Sequence, residues 1–424
     1  MREKCAVIGA GVTGLTAAYE LQKRRQQVVV FESSDQVGGI AGGFKQTDWD
    51  WFLDYHYHHV FTGDKDIKHW LAELDLADEL LVLEPKSVNY YQGKIAQLDS
   101  ALALLRYPFL SWSSKLRTAA VMGFCKFWPW GQVLERWTAQ DFICLLMGQE
   151  SWEKIWQPLF LGKFGELASE VNAAWFWARI YARSQKLVYV QGGFQHLFNQ
   201  VQAKLQDYGV EFRMGVEVEI LQQKSGKLVI AGEEFDQVLF TGHSSTLLDL
   251  FANWSADFQE KLKNYETLAA MTLVLELEDK FLPDDIYWLN INESDWPFSG
   301  VIEHTNFVSA EHYNGRTLVY LANYLPADSQ ELTYDKNQVL SWYDPYLEKL
   351  NANYKNDLKN SWLYKTKNAQ PFVRCHHSQI LPKIKTPAPN LFWAGMQHVY
   401  PYDRGTNYAV RLGRQAAQII LQTR

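Results

Sequence analysis

The feature that most constrains this chain is a glycine turn at residues 9–14. Before it stands a short apolar run, Lys4–Ile8, which reads as a buried strand. Then come Gly9-Ala10-Gly11-Val12-Thr13-Gly14, a helical pattern over 15–24, and a second apolar run, Gln27–Phe31, ending at Glu32. Each glycine answers a separate need. Gly9 permits the tight turn, Gly11 lets the backbone approach a pyrophosphate, and Gly14 lets the helix lie close on the strand. The opening of that helix offers unbonded N–H groups and a partial positive charge to phosphate. Glu32, at the end of the second strand, can accept hydrogen bonds from ribose hydroxyls. Strand, turn, helix, strand and acid together predict a dinucleotide site, with Ala10, Val12 and Thr13 in its wall.

The residues after Glu32 choose between dinucleotides. Ser33-Ser34-Asp35-Gln36-Val37 lead into Gly38-Gly39-Ile40-Ala41-Gly42-Gly43, four glycines in six positions. Such a run lets backbone amides contact a diphosphate and a ribityl chain without side-chain obstruction. The stretch resembles the extended FAD signature of the flavin amine oxidase superfamily. That group includes protoporphyrinogen oxidases, phytoene desaturases and, more distantly, UDP-galactopyranose mutases. The resemblance implies FAD. Ile40-Ala41 stands where many amine oxidases carry arginine, which points away from the amine-oxidising branch.

Two later blocks resemble the parts of the same superfamily that return to the cofactor. In the first, Gln191-Gly192-Gly193 precedes a helix through 205 and a strand over 210–214. The resemblance then implies that Val216 and Val218 lie against the adenine, and that the chain passes the cofactor again at Thr241 and Gly242. In the second, Phe392-Trp393-Ala394-Gly395-Met396 reads as a strand ending in glycine, and Gly405-Thr406-Asn407 open a last helix running to 421. The resemblance implies that this helix start faces the flavin ring where negative charge gathers on reduction. Met396 occupies the position where the family usually has an acid. The implied fold is α/β. It comprises a discontinuous Rossmann-like FAD-binding domain over 1–85, 188–243 and 371–424, and a mixed-sheet plus helical substrate domain over 86–187 and 244–370.

Between these blocks, 46–62 alternates with a period near two, 64–83 reads as an amphipathic helix, 86–98 as a hairpin turning at Gln92-Gly93, and 100–182 as Trp-rich helices. On a strand, His56 and His58 would share one face and His59 the other. Structural histidines and a metal site are two readings of this cluster. The resemblance adds a third, a position at the flavin edge where a histidine titrating near neutrality moves a proton. Arg404 is a candidate to balance a reduced flavin or to hold an acidic substrate. His56, His58, His59 and Arg404 are therefore the catalytic candidates. Arg179 and Arg183 are a candidate phosphate-binding pair, and Lys163 has no local feature tying it to the chemistry.

Composition narrows the rest. A net charge of −7 with scattered Lys and Arg argues against nucleic acid as partner. Cys5, Cys125, Cys144 and Cys375 are far apart, so neither a disulfide framework nor a cysteine zinc site is expected, and a reducing cytoplasm is the default. The glycines within the first apolar run argue against a signal peptide. Aromatic residues reach 15%, with 17 Trp. The run from Trp112 to Trp137 fits either a core of packed helices or a hydrophobic mouth touching a membrane surface. The expected function is oxidation of an apolar or aromatic small molecule by hydride transfer to FAD, and the alternative is a UDP-sugar mutase.

Overall fold

The computed structural model describes residues 3–423. Its first sheet is built of five parallel strands in the order Glu211–Arg213, Gln27–Phe31, Lys4–Ile8, Gln237–Phe240, Leu391–Trp393. Both faces are covered, so the strands are near-continuous apolar runs. Cys5, Val7, Val28 and Val30 pack against the helix Val12–Lys23 and the last helix, Thr406–Gln422. Ala6, Ile8, Val29 and Phe31 face the other way, onto Leu228, Ile230 and Phe235 of a small antiparallel sheet. The two helices approach closely at Gly413, where a Cβ would come within 2.5 Å of the Thr13 carbonyl oxygen.

Register decides where the site falls. Arg213, Phe31, Ile8, Phe240 and Trp393 lie in one row across the sheet. Each strand ends there, so the segments beginning at Gly9, Glu32, Met214, Thr241 and Ala394 all leave from the same carboxyl edge, where open parallel sheets bind ligands.

The second sheet has seven strands in the order Leu358–Pro371, Thr267–Leu277, Thr317–Pro326, Gly300–Glu303, Ile286–Ile291, Lys86–Tyr91, Lys94–Gln97. All its pairings are antiparallel except that of Ile286–Ile291 with Lys86–Tyr91. The expected hairpin is present, with Gln92 at φ 50° and Gly93 at φ 73° in its turn.

Two expectations needed correction. The helix predicted over 64–83 stops at Glu73, and Leu80–Leu83 is a strand on Leu187–Val190. Asp75 at φ 56° turns the chain out of the helix, and nothing in the hydrophobic pattern marks that break. Residues 46–62 hold only two short strands, Leu53–Asp54 and Val60–Phe61, so His56–His59 lie on irregular backbone.

The aromatic runs also separate. Trp175, Phe176 and Trp177 are buried in a helical core, on a helix capped by Asn172 through the Trp175 N–H at 2.9 Å. Trp112, Phe124, Phe127, Trp130 and Trp137 are exposed. A packed-helix core therefore accounts for the second run and not for the first.

Candidate functional site

A cavity of about 710 Å³ lies between the carboxyl edge of the parallel sheet, the seven-stranded sheet and the helical block. One arm follows the glycine turns. Gly9 donates to the Phe31 carbonyl at 2.8 Å and Gly38 to the Ala10 carbonyl at 2.9 Å, so the two turns are laced together. Gly39, at φ 57°, sits with its would-be Cβ 3.3 Å from the Gly11 Cα. Gly11 itself has open space where a side chain would stand, and it lines the cavity. Glu32 accepts from the Ala10 N–H at 2.7 Å with one oxygen and from the Ser34 N–H at 3.0 Å with the other. The Ser33 and Ser34 hydroxyls also lie on that second oxygen, at 3.3 and 3.0 Å, so the carboxylate is fixed in place and its capacity for a further hydroxyl is on the first.

The expected cofactor residues divide into lining and supporting positions. Gly9, Gly11, Val12, Thr13, Glu32, Ser33, Gly38, Gly39, Ile40, Ala41, Val216, Val218, Thr241, Gly242, Met396, Gly405, Thr406 and Asn407 line the cavity. Ala10, Gly14, Gly42 and Gly395 do not. Ala10 is fully buried, and a Cβ on Gly14, Gly42 or Gly395 would meet neighbouring atoms at 1.9, 2.9 and 2.4 Å respectively. They are close-packing positions that shape the wall from behind.

At the other arm the last helix begins at Thr406. The side-chain oxygen of Asn407 is already committed, accepting from the Asp66 and Ile67 N–H groups at 2.9 and 3.2 Å and capping the helix Lys65–Glu73. The backbone N–H groups of Thr406 and Asn407 find no acceptor among the described residues, and neither do those of Thr13 and Gly14. Two helix starts with free donors, open space at Gly11 and a fixed acid at Glu32 fit a dinucleotide with a ring at its far end.

The histidines lie in the cavity wall. His56 is held at both ring nitrogens, by the Thr272 hydroxyl at 2.8 Å and the Thr366 hydroxyl at 2.9 Å. His58 donates from Nδ1 to the His56 carbonyl. His59 packs its ring against Phe61 and Trp288, and its Nδ1 has no partner. Burial, followed by nearby Arg404, pushes His56 down to about 3 and His58 to about 4; burial, followed by Arg183, pushes His59 to about 3. All three are neutral at pH 7, which corrects the expectation of a histidine titrating near neutrality. No group of three or more metal-ligating side chains occurs among the described residues.

A pH effect follows. An unfolded histidine takes up a proton near pH 6.5, while these do so only near 3 to 4. Their contribution to stability is complete above about pH 6.5 and falls as the pH drops, by about 1.4 kcal/mol per pH unit for each. Thermal denaturation of wild type and His56→Gln between pH 7 and 4 should give a shallower acid decline for the variant (about one proton fewer). Parallel curves would show that His56 contributes nothing to it.

The charged chemistry gathers beside these histidines. Lys163 donates to Asp403 Oδ2 at 2.6 Å, and Arg179 pairs with the same oxygen. Arg404 donates to the Tyr324 hydroxyl at 2.7 Å, and Tyr57 shares that hydroxyl at 3.3 Å. Burial alone would raise the Tyr324 phenol, but Arg404 and then Lys163 outweigh it and pull the phenol down to about 8. Arg183 also lines the cavity, and its guanidinium has no acceptor among the described residues. Lys163, Asp403 and Tyr324 are the members of this site that the sequence did not nominate. Lys163 and Asp403 are 240 positions apart, and no local motif signals such a pairing.

The family described as flavin containing amine oxidoreductase matches residues 12–421. Among curated relatives, L-amino-acid oxidase of Crotalus adamanteus is 26% identical over 110 residues, 25% of this chain and 21% of that protein. The L-amino-acid oxidase of Sistrurus catenatus edwardsii is 40% identical over 110 residues, with the same coverage. These matches thus span about a fifth of the curated relatives' length. Among solved structures, a protein from Exiguobacterium sp. 255-15, provisionally described as a protoporphyrinogen oxidase, superimposes with a TM-score of 0.77 at 14% identity over 100% of both chains. Reduced UDP-galactopyranose mutase gives 0.77 at 15% identity, over 100% of this chain and 96% of that one. Cyclohexylamine oxidase from Brevibacterium oxydans IH-35A gives 0.74 at 13%, over 100% and 99%. At such identities these likenesses concern the fold.

Proposed function

The chain belongs to the flavin-containing amine oxidoreductases, and from that premise we propose that it is an FAD-dependent oxidoreductase that oxidises an apolar or aromatic organic substrate in the 710 Å³ cavity. The observation that carries this reading is the make-up of the cavity lining. Trp156, Phe160, Trp175 and Phe176 give apolar surface fit to hold a hydrophobic body, and Tyr324, Lys163 and Arg404 line the same cavity, with Lys163 Nζ 5.1 Å from the Trp175 ring centre. Bound FAD supplies a hydride acceptor at N5 of its ring. The glycine turns at 9–14 and 38–42, with Glu32, Ser33, Val216, Val218, Thr241, Gly242, Met396 and 405–407, would hold that cofactor, with Gly395 packed behind them. In this reading segments 1–85, 188–243 and 371–424 form the cofactor-binding unit, and 86–187 with 244–370 the substrate-binding unit.

The chain's own contribution to the chemistry is a proton acceptor and its support. Tyr324 Oη, lowered to about 8, takes a proton from the substrate when ionised. Arg404 and Lys163 stabilise that ionised form, Asp403 holds Lys163 in place, and the neutral histidines close the wall without competing for the proton. Accordingly kcat/KM rises with pH through about 8 in the wild type. Tyr324→Phe abolishes that rise and lowers the rate above it by about a hundredfold. A pH–rate profile of both proteins checks this, and an unchanged rise in the variant refutes it.

Arg183 favours a second reading. With Arg179 it could hold the diphosphate of a UDP-sugar, and the reaction would then be a mutase rearrangement on pre-reduced enzyme. One anaerobic experiment separates the two. Purified yellow protein is mixed in turn with apolar amines, tetrapyrroles, polyenes and UDP-sugars, and the flavin absorbance is followed. Bleaching by one of the first three classes supports oxidation. Conversion of a UDP-sugar only after prior reduction overturns it.

A further inference from the structure

The exposed aromatic run is not part of the cavity, and its surroundings give it a distinct character. Along the 16-residue helix Trp112–Phe127, the side chains of Trp112, Leu116, Ala120, Phe124 and Phe127 recur at spacings of four and three and are all exposed. They form one apolar stripe about 24 Å long. Phe127 is 85% exposed, Trp112 67%, and Trp130, just beyond the helix, 68%. The opposite face, with Ser114, Thr118 and Cys125, is buried.

Charge points the same way. Residues 100–134 contain four basic side chains, Arg106, Lys115, Arg117 and Lys126, and no acidic one, in a chain of net charge −7. None of the four is paired with a carboxylate among the described residues; Lys115 is buried with its Nζ on the Leu105 carbonyl at 2.9 Å, so Arg106, Arg117 and Lys126 are the exposed cations. Arg117 instead binds the carbonyls of Leu146 and Leu145 at 2.9 and 2.6 Å, bringing two further exposed leucines to the patch. The carboxylates at the border bond to groups other than these cations, Glu150 to the start of the helix itself. Glu135 accepts from Tyr400 at 2.8 Å and Glu150 from Ser114 at 2.7 Å and Lys154 at 2.8 Å.

The patch backs directly onto the cavity wall. The Trp128 carbonyl accepts from Trp177 Nε1 at 2.8 Å, and Lys126 donates to the carbonyls of Tyr181 and Arg183. Trp177 belongs to the helix Ala173–Ala182, whose Trp175, Phe176 and Arg179 line the cavity on its other side.

We propose that this face docks the enzyme on a bilayer carrying anionic headgroups. The aromatic stripe enters the boundary between headgroups and acyl chains, and the exposed Arg106, Arg117 and Lys126 meet the lipid phosphates. A pairing of two copies through this face would set the same uncompensated cations against each other, since a twofold interface matches a patch to itself. An anionic bilayer neutralises them and buries the rings at once. Docked this way, the wall formed by Ala173–Ala182 lies next to the membrane, on the route of an apolar substrate dissolved there.

The test is flotation of the FAD-loaded protein with vesicles of phosphatidylcholine and phosphatidylglycerol in equal parts, against phosphatidylcholine alone. Wild type should float with the anionic vesicles, more weakly with the neutral ones, and leave the anionic vesicles as salt is raised. The double substitution Phe127→Ser, Trp130→Ser should weaken binding by at least about tenfold, and Arg106→Glu, a change of two charges, by about twenty-five-fold, since each charge near an anionic surface is worth about fivefold. Ile220→Ser, which removes an exposed apolar side chain elsewhere, should bind as wild type does. Flavin content and melting temperature of each variant establish that it is folded. Absence of wild-type flotation with either vesicle overturns the proposal, as does flotation unaffected by the patch substitutions. So does a wild-type dimer without lipid affinity that Phe127→Ser, Trp130→Ser converts to monomer.

Discussion

Gly11→Ala is expected to fold as stably as wild type and lose its flavin, whereas Gly14→Ala is expected to lose flavin and much of its stability. The two glycines are three residues apart in one turn, yet a methyl group meets opposite surroundings at each. At Gly11 the backbone is extended, φ −71° and ψ 175°, which alanine adopts without strain, and nothing stands within 4 Å of the new carbon. Its methyl projects from a residue of the cavity wall, so the protein alone does not register it and a closely held pyrophosphate does. Flavin affinity should fall by at least about tenfold, the scale of a crowded contact costing 1–3 kcal/mol. At Gly14 the methyl would stand 1.9 Å from the Gly9 carbonyl oxygen and 3.3 Å from a Val7 methyl. Both are parts of the first strand and its turn, so the helix must lift off the sheet, at a cost of about 3 kcal/mol. The ratio of flavin to protein absorbance and the denaturation midpoints of the flavin-free proteins measure the two effects. Gly11→Ala with a full complement of flavin would show that the pyrophosphate does not approach this turn.

That contrast also marks what could be read from the sequence. The glycine turns, Glu32 and the last helix start are local devices, because each is required by backbone geometry within a few residues, and the parallel sheet follows from the apolar runs beside them. The His56–His59 strand failed because a period of two over so few residues does not require a sheet partner. His56 is placed instead by Thr272 and Thr366, both far away in the chain. The break at Asp75 failed for a similar reason, since a single positive φ can end a helix inside an unbroken hydrophobic pattern. The aromatic runs at 112–137 and 175–177 look alike as composition. Which one is buried depends on what packs above it, and that is a tertiary fact. The charged cluster was the least legible part, because Lys163, Arg179, Tyr324, Asp403 and Arg404 come from four separate stretches of chain and meet only in the folded protein.

Asp403→Asn should produce the largest change in that cluster. The side chains of Asp403 and Lys163 are 19% and 14% exposed, and Asp403 also receives Arg179 and the Arg404 N–H. Burial alone would raise the Asp403 carboxyl, but Lys163 and Arg179 outweigh it and hold it well below the usual carboxylate range. Asparagine keeps the shape and removes the charge, leaving Lys163, Arg179 and Arg404 without a counterion. Breaking a buried pair by removing one partner costs about 3 kcal/mol or more. A carboxyl lowered on folding stabilises above its unfolded value of about 3.9 and loses that contribution as the pH falls below it. The deficit of the variant should therefore be constant from about pH 5 upward and shrink below about pH 4. Adding Lys163→Met should recover part of the loss, because an unpaired buried cation is worse than an apolar side chain. A further consequence separates this account from general damage. Asp403 opposes the ionisation of Tyr324, and Lys163 favours it. In Asp403→Asn the rise of kcat/KM should move to lower pH than about 8, and in Lys163→Met to higher. A merely loosened protein would move both in the same direction, so shifts of one sign in the two variants would refute Tyr324 as the group this cluster tunes.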